Sequence, residues 1–165
     1  MIAIKLNTTK DHDEYFFIDG EDFEKVMKYK WNASRRKHGA TYIKHDTWIN
    51  NIRGGILLHR YIMNCPDDMV VDHIDGNPLN NCKSNLRICT RRQNLFNSKK
   101  LKGSKNKYRG VRKDHNRFQA YIKGDNDKQI NLGSFLTEEE AALKYNEIAL
   151  KMRGEFAVLN EVKNV

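Results

Sequence analysis

Between Val70 and Asn97 the chain reads VVDHIDGNPLNNCKSNLRICTRRQNLFN, and this stretch carries the residues best suited to chemistry. VVDHI has the composition of a buried strand. Yet it contains Asp72 and His73, two ionisable groups that are costly in a core unless they are partnered or put to work. Gly76-Asn77-Pro78 forces a turn. LRICT makes a second short strand, and Thr90 with Gln93 forms a capping box that should open a helix carrying Asn94. An aspartate, a histidine and two asparagines, Asn85 and Asn94, thus fall on a strand, turn, strand and helix. Carboxylate and carboxamide oxygens suit a hard divalent ion that keeps several waters. A neutral imidazole with an ordinary pKa near ~6.5 can accept a proton from water at physiological pH. Metal-assisted hydrolysis is the chemistry such a set supports.

The flanking segments must position these groups. HRYIMN, with Tyr61 and Ile62 near Leu57 and Leu58, predicts a short apolar helix beneath the site. It should end at Cys65-Pro66, because the residue before a proline is pushed out of helical geometry. His59 opens that helix and has two readings, a phosphate contact or a satisfied histidine at a helix start, the second favoured. Asp75 is read as a turn residue supporting Gly76, with a supporting or alternative ligand role as the other reading. Upstream, IAIKL and EYFFI predict short strands, and Phe23, Val26, Met27 and Lys30 follow the spacing of a short helix reaching about Tyr29. ATYIKH and TWINNI predict a further pair of strands linked near Asp46, and Gly54-Gly55 marks the boundary with the next unit. His12 and His45 read as surface residues. Arg35, Arg36, Lys37 and His38 cluster in a turn that either touches phosphate or is a solvated loop.

Composition narrows the partners. The chain has 165 residues, 39% hydrophobic and 31% charged, with a formal charge of +9. No apolar run approaches the roughly 20 residues needed to span a bilayer, and charge follows the first residues at once, so neither a membrane protein nor a secreted one is expected. Cys65, Cys82 and Cys89 are an odd set without a CxxC pair and fit reduced thiols better than disulfides or a zinc site. From Arg91 to Lys123 there are 12 basic residues against one acid, Asp114. Such a stripe favours a polyanion, since neutralised phosphates release condensed counterions.

LHRYIM followed by VDHIDGN, SNLR and RRQN resembles the HNH nucleases, specifically the phage and intron homing-endonuclease branch with the ββα-metal fold. The resemblance implies that Asp72 and Asn94 are metal ligands, that His73 is the general base, and that Asn85 orients the histidine. Asn94 stands where that branch has an asparagine instead of a histidine. The metal implied is a divalent ion, Mg²⁺ first and Mn²⁺ as the alternative, with no small-molecule cofactor.

Past the core, KKLKGSKNK is a basic, turn-rich connector. YRGVRKD, RFQAYIKG and QINLGSF are three alternating runs that predict an antiparallel sheet. Thr137 and Glu140 form a second capping box. The helix after it carries Ala141, Tyr145, Ile148, Ala149 and Met152 on one face and stops at Gly154. Phe118, Ile122, Leu132 and Phe135 should lie under this helix. YRGVR, LGSF and TEEEAALKYNEIALKMRGEFAVLN resemble the DNA-binding domain of plant ethylene-response factors, the APETALA-type domain, whose exposed sheet face enters the major groove. The resemblance implies groove-facing positions at Arg109, Gly110, Arg112, Arg117, Tyr121, Lys123, Gln129 and Asn131. Tyr121, Gln129 and Asn131 depart from the plant pattern, so the plant target sequence does not transfer. Arg109 and Arg112 are read either as guanine or as phosphate contacts. Arg91, Arg92, Lys99, Lys100, Lys102, Lys105 and Lys107 complete the expected DNA-binding set.

The fold class expected is α+β, in four segments. Residues 1–57 form a β-rich unit packing with the nuclease core, 58–98 the HNH core, 99–106 a basic linker, and 107–165 the ethylene-response-factor-like domain. The function expected is metal-dependent cutting or nicking of double-stranded DNA, homing type, by a cytoplasmic protein, as a monomer in preference to a dimer. A catalytically inactive DNA-binding regulator is the alternative.

Overall fold

The computed structural model describes residues 1–6, 14–35, 41–96, 106–124 and 126–162. The architecture is α+β, with small antiparallel sheets and short helices. The chain divides into two compact units, Met1–Asn94 and Leu95–Val165.

In the first unit, the β-branched and aromatic runs near the start form β1 (Ile2–Lys5) and β2 (Tyr15–Ile18), an antiparallel pair with Ile4 opposite Phe16. After a 3₁₀ turn, α1 (Phe23–Val26) is only one turn long and stops well before Tyr29. The buried Trp31 follows the stop closely: its Nε1–H donates at 2.7 Å to the Val26 carbonyl, which also accepts from the Tyr29 N–H at 3.2 Å, so both bonds close the helix end.

The three-stranded sheet that follows has the order β3 (Asn32–Arg35), β4 (Thr41–Ile49), β5 (Ile52–Leu57). ATYIKH and TWINNI are therefore one continuous strand, not a pair. Asp46 lies mid-strand, bridged to Lys44 at 3.1 Å and to Arg53 at 3.1 Å. The hairpin turns instead at Asn50 and Asn51, both at positive φ (49° and 62°), which asparagine tolerates better than most residues. Gly54 and Gly55 do not mark a boundary; they sit inside β5, and a Cβ on Gly55 would collide with the Lys44 side chain crossing above it.

Next come α2 (Leu58–Met63), β6 (Val70–His73), β7 (Leu86–Cys89) and α3 (Arg91–Phe96). Asn64 closes α2 in the left-handed region, φ 47°, just ahead of Cys65-Pro66. One core joins β2, α1, β4, α2, β6 and β7: Phe16, Ile18, Val26 and Ile43 pack with Leu58, Ile62, Val71 and Leu86. The N-terminal strands and the strand–loop–strand segment thus share a single apolar interior.

In the second unit, β8 (Val111–Asp114), β9 (Arg117–Lys123) and β10 (Gln129–Phe135) form a sheet with β9 in the centre. The sheet packs against α4 (Glu138–Arg153), whose Ala141, Ala142, Tyr145 and Ala149 are buried. Ala120 and Ile122 are buried on the helix side, and Phe118, Leu132 and Phe135 pack partly buried beside them. Ile148 is half-buried, whereas Met152 is exposed, so the apolar stripe ends a turn earlier than its spacing predicts.

Candidate active site

The site is built where β6 ends. Asp72 and His73 are both buried, an arrangement a strand tolerates only if each group is satisfied. Asp72 lies opposite Arg87 in the β6–β7 register. The Arg87 guanidinium donates to the Asp72 Oδ2 through Nε at 3.0 Å and through a terminal nitrogen at 2.8 Å. Both side chains are largely withdrawn from water, so the ion pair fixes the carboxylate direction.

His73 is enclosed on several sides. Its ring packs edge-on against the His59 ring at 5.0 Å between centroids, and Tyr42 lies 6.4 Å away. Its Nε2 lies 3.4 Å from the Oδ1 of the fully buried Asn81. Burial pushes the His73 pKa below the ordinary value, against the opposing pull of Asn81, Asp75 and Asp72. The ring is therefore neutral at physiological pH, the form in which it can take a proton.

His59 stands at the start of α2, as the sequence indicates, and packs as a buried member of an aromatic cluster with Tyr42 and His73. Burial, then the His73 and Arg60 charges, lower its pKa to about 3. Its Nδ1 is buried without a hydrogen-bond partner. The adjacent Arg60 ties α2 to the approach to β6 by donating to the carbonyls of Met69 (2.6 Å), Pro66 (2.7 Å) and Cys65 (3.3 Å).

The resemblance gives Asn85 the task of aiming the imidazole, but its carboxamide is hydrogen-bonded elsewhere. The Nδ2 donates to Asp75 Oδ1 at 2.9 Å and to the Asn80 carbonyl at 2.8 Å, while Oδ1 accepts from the Asp75 N–H at 3.0 Å. Asn85 therefore braces the loop between the strands. Asp75 is the hub of that loop: it accepts from the Asn77 N–H at 2.7 Å and the Asn80 side chain at 2.9 Å. Burial works against its charged form, but these bonds, with Asn85 and His73, hold its carboxyl below the ordinary value. Gly76 completes the turn at φ 67°, donating its N–H to the His73 carbonyl at 2.8 Å.

The N-terminal strand reaches this loop. Phe17 N–H donates to the Leu79 carbonyl and the Phe17 carbonyl accepts from Asn81 N–H, each at 2.8 Å. Asp19 accepts from Lys83 N–H at 2.7 Å.

Asn94 stands one turn into α3, half-buried, its N–H donating to the Thr90 carbonyl at 3.1 Å. The capping box that starts α3 is formed: Thr90 N–H donates to Gln93 Oε1 at 2.8 Å and Gln93 N–H to Thr90 Oγ1 at 3.2 Å. Asp72 and Asn94 offer hard oxygen donors of the kind Mg²⁺ takes. Among the described residues no group of three or more His, Cys, Asp or Glu side chains converges on one point.

The second unit presents a polar face opposite α4. Along β9 the alternation puts Arg117, Gln119, Tyr121 and Lys123 on one side, with Arg112 of β8 and Gln129, Asn131 and Ser134 of β10 in register beside them. Arg112 donates to Gln119 Oε1 through Nε at 3.1 Å and through a terminal nitrogen at 2.7 Å, and its guanidinium lies 5.7 Å from the Tyr121 ring centre. Arg117 donates to the Ser134 side chain and carbonyl, each at 3.0 Å. Asn131 accepts from Gly133 N–H at 2.9 Å, fixing a bulge in β10.

Other members of the expected set stand differently. Arg109 is half-buried, its backbone clasped by Asn160. Gly110, at φ 69°, lies where a Cβ would meet the Tyr145 ring at 2.1 Å, so its role is to let the chain pass α4. Lys107 is paired with Glu139 at 2.8 Å. Arg91 is exposed and Arg92 half-buried on α3. Lys99, Lys100, Lys102 and Lys105 lie outside the described residues, as do His12, Arg36, Lys37 and His38.

Sequence reasoning passed over Asn80, Asn81, Arg87, Gln119 and Ser134. Gln119 follows from period-two alternation through Arg117, Tyr121 and Lys123, and Arg87 from the hairpin register that sets it opposite Asp72. The asparagines carried no comparable signal, since an Asn-Asn pair in a turn reads as ordinary loop composition.

Comparison with known proteins gives the class. Residues 64–95 match a family model described as HNH endonuclease, a span that includes Asp72, His73, Asn85 and Asn94. The chain is also 35% identical over 155 residues to an uncharacterized HNH endonuclease of Acanthamoeba polyphaga mimivirus, covering 90% of this chain and 75% of that one. The chain belongs to the HNH endonuclease family. The alignment leaves only about a tenth of the chain unmatched, so it extends well beyond the strand–loop–strand–helix segment.

Proposed function

We propose that this protein is a metal-dependent endonuclease of homing type that nicks or cuts double-stranded DNA at a long, tolerant site. The observation that carries this reading is the buried Asp72–His73 pair at the end of β6, a neutral imidazole beside an oriented carboxylate within the family-matched segment. His73 takes the proton of the attacking water. Asp72 and Asn94 hold a divalent ion, Mg²⁺ or Mn²⁺, which when bound stabilises charge on the phosphate and on the leaving 3′-oxygen. Asn85 and Asp75 keep the loop behind His73 rigid. The second unit acts as an ethylene-response-factor-like reader: its polar face offers Arg112, Arg117, Tyr121, Lys123, Gln129 and Asn131 to a groove, with Gln119 and Ser134 holding the two arginines. The basic residues from Arg91 to Lys107 follow the phosphate backbone.

The test is conversion of supercoiled plasmid to nicked circles with Mg²⁺ or Mn²⁺ present, with a chelator, and with His73→Ala. Losing a positioned general base should lower the rate by about 10²–10⁴-fold while leaving DNA binding intact. Salt-sensitive binding by the wild-type protein without metal-dependent product, indistinguishable from His73→Ala, overturns the nuclease reading in favour of a DNA-binding regulator.

A further inference from the structure

Among the described residues Asn81 is the least exposed polar one, and nothing in the family pattern assigns it work. Its side chain can be oriented from its partners. The Nδ2 donates to the Pro78 carbonyl at 3.2 Å, and the opposite assignment would set two acceptor oxygens against each other there. The Oδ1 is therefore the atom that lies 3.4 Å from His73 Nε2. A carboxamide oxygen only accepts, so the neutral imidazole meets it favourably in one tautomer alone, with the proton on Nε2. The backbone leaves Asn81 little freedom to move away, because its N–H is bonded to the Phe17 carbonyl at 2.8 Å. Asn85, the other candidate for this task, is occupied by Asp75 and Asn80.

We infer that Asn81 is the positioning residue of the general base, holding the His73 proton on Nε2 so that Nδ1 is the nitrogen that receives the proton of the attacking water. As that proton moves to Nδ1, the water oxygen forms its bond to phosphorus. The bond from phosphorus to the 3′-oxygen breaks, and the leaving oxygen is protonated by solvent. The inference rests on the proposed role of His73. It adds the N-terminal strand to the catalytic apparatus, since β2 anchors the backbone of the residue that sets the tautomer.

The experiment is a multiple-bond ¹H–¹⁵N correlation spectrum of the full-length, histidine-labelled protein at mildly alkaline pH without metal or DNA, with His73→Gln identifying the His73 signals. The wild-type protein should show the Nε2–H tautomer. Asn81→Leu, of similar volume but without an acceptor, should lose that preference and lower kcat for nicking about a hundredfold or more, with KM for DNA unchanged. Asn81→Asp keeps an acceptor oxygen towards His73 but loses the donor to the Pro78 carbonyl; it should recover the tautomer, with kcat between those of Asn81→Leu and the wild-type protein. An Nδ1–H tautomer in the wild-type protein, or an unaltered tautomer in Asn81→Leu, overturns the inference. Should Asn81→Leu fail to fold, the wild-type spectrum and Asn81→Asp decide it alone. A wild-type protein that shows the Nε2–H tautomer but cuts no DNA overturns the proposed function and leaves the tautomer assignment standing.

Discussion

The two units treat polar side chains in opposite ways. Among the described residues, all six buried polar or charged side chains, Asp22, His59, Asp72, His73, Asn81 and Asn85, lie in Met1–Asn94. The interior of the second unit is made of alanines, tyrosines, phenylalanine and aliphatic residues, and among its described residues no arginine, lysine, acid or amide side chain is fully buried. The contrast follows from the work proposed for each. A proton-transfer group must point one way, and burial against bonded neighbours fixes its direction at the expense of desolvation. A groove-reading surface must exchange its water and internal bonds for bases and phosphates, so its donors are pre-arranged but solvated, as Arg112 is by Gln119.

The buried ion pair offers the strongest way to break this comparison. Arg87→Met leaves Asp72 buried beside an apolar chain and should destabilise the first unit by about 3–5 kcal/mol, the range for removing one partner of a buried pair. Replacing both residues, as Asp72→Leu with Arg87→Met, should restore much of the thermal stability, because the uncompensated charge is gone. Nicking should stay absent in the double variant. Denaturant melts together with plasmid nicking measure both outcomes; a single Arg87→Met variant that melts like wild type would show that burial does not set the cost here.

A backbone change probes the second unit at the point where it has no polar interior to lose. Gly110 has φ 69° and stands against the Tyr145 ring and the Tyr121 carbonyl. Gly110→Ala adds backbone strain and an overlap, each typically of about 1–3 kcal/mol, for a combined loss of roughly 2–6 kcal/mol. Melting should show the second unit losing stability while the first keeps its own transition. Site-selective binding should fall, and the metal-dependent nicking chemistry of the first unit should persist on non-target plasmid at low salt.

These differences also explain what the sequence made legible. The sheet and helix of the second unit came through because period-two alternation, a capping box and a terminal glycine all act locally. The strand–turn–strand–helix segment came through for the same reason; the roles given to Asp72, His73, Asn85 and Asn94 were implied by the family resemblance and stand as a proposal. Long-range effects were not legible. Trp31 closing α1, Phe17 anchoring Asn81, and Asn85 turning to Asp75 instead of His73 all depend on residues that meet only in the folded chain. The hairpin turn was misplaced to Asp46 because a charged residue inside a strand reads as a loop until its cross-strand partner Arg53 is known.

The smallest effect sharpens the comparison, because both units use the same device. Thr137 and Glu140 cap the sixteen-residue α4 with reciprocal bonds, as Thr90 and Gln93 cap the six-residue α3. Removing the cap as Thr137→Ala or Thr90→Ala should cost about 1 kcal/mol locally in each case. The consequences should diverge. Four turns of α4 are held by Ala141, Tyr145 and Ala149, so Thr137→Ala should appear as a modest drop in melting temperature with cutting unaltered. A helix as short as α3 has no stability of its own, and its first turn carries Asn94, the proposed metal ligand. Thr90→Ala should therefore leave the melting temperature nearly unchanged and raise the concentration of Mg²⁺ needed for half-maximal nicking. Equal Mg²⁺ requirements in the two variants would remove Asn94, and the first turn of α3 with it, from the metal site.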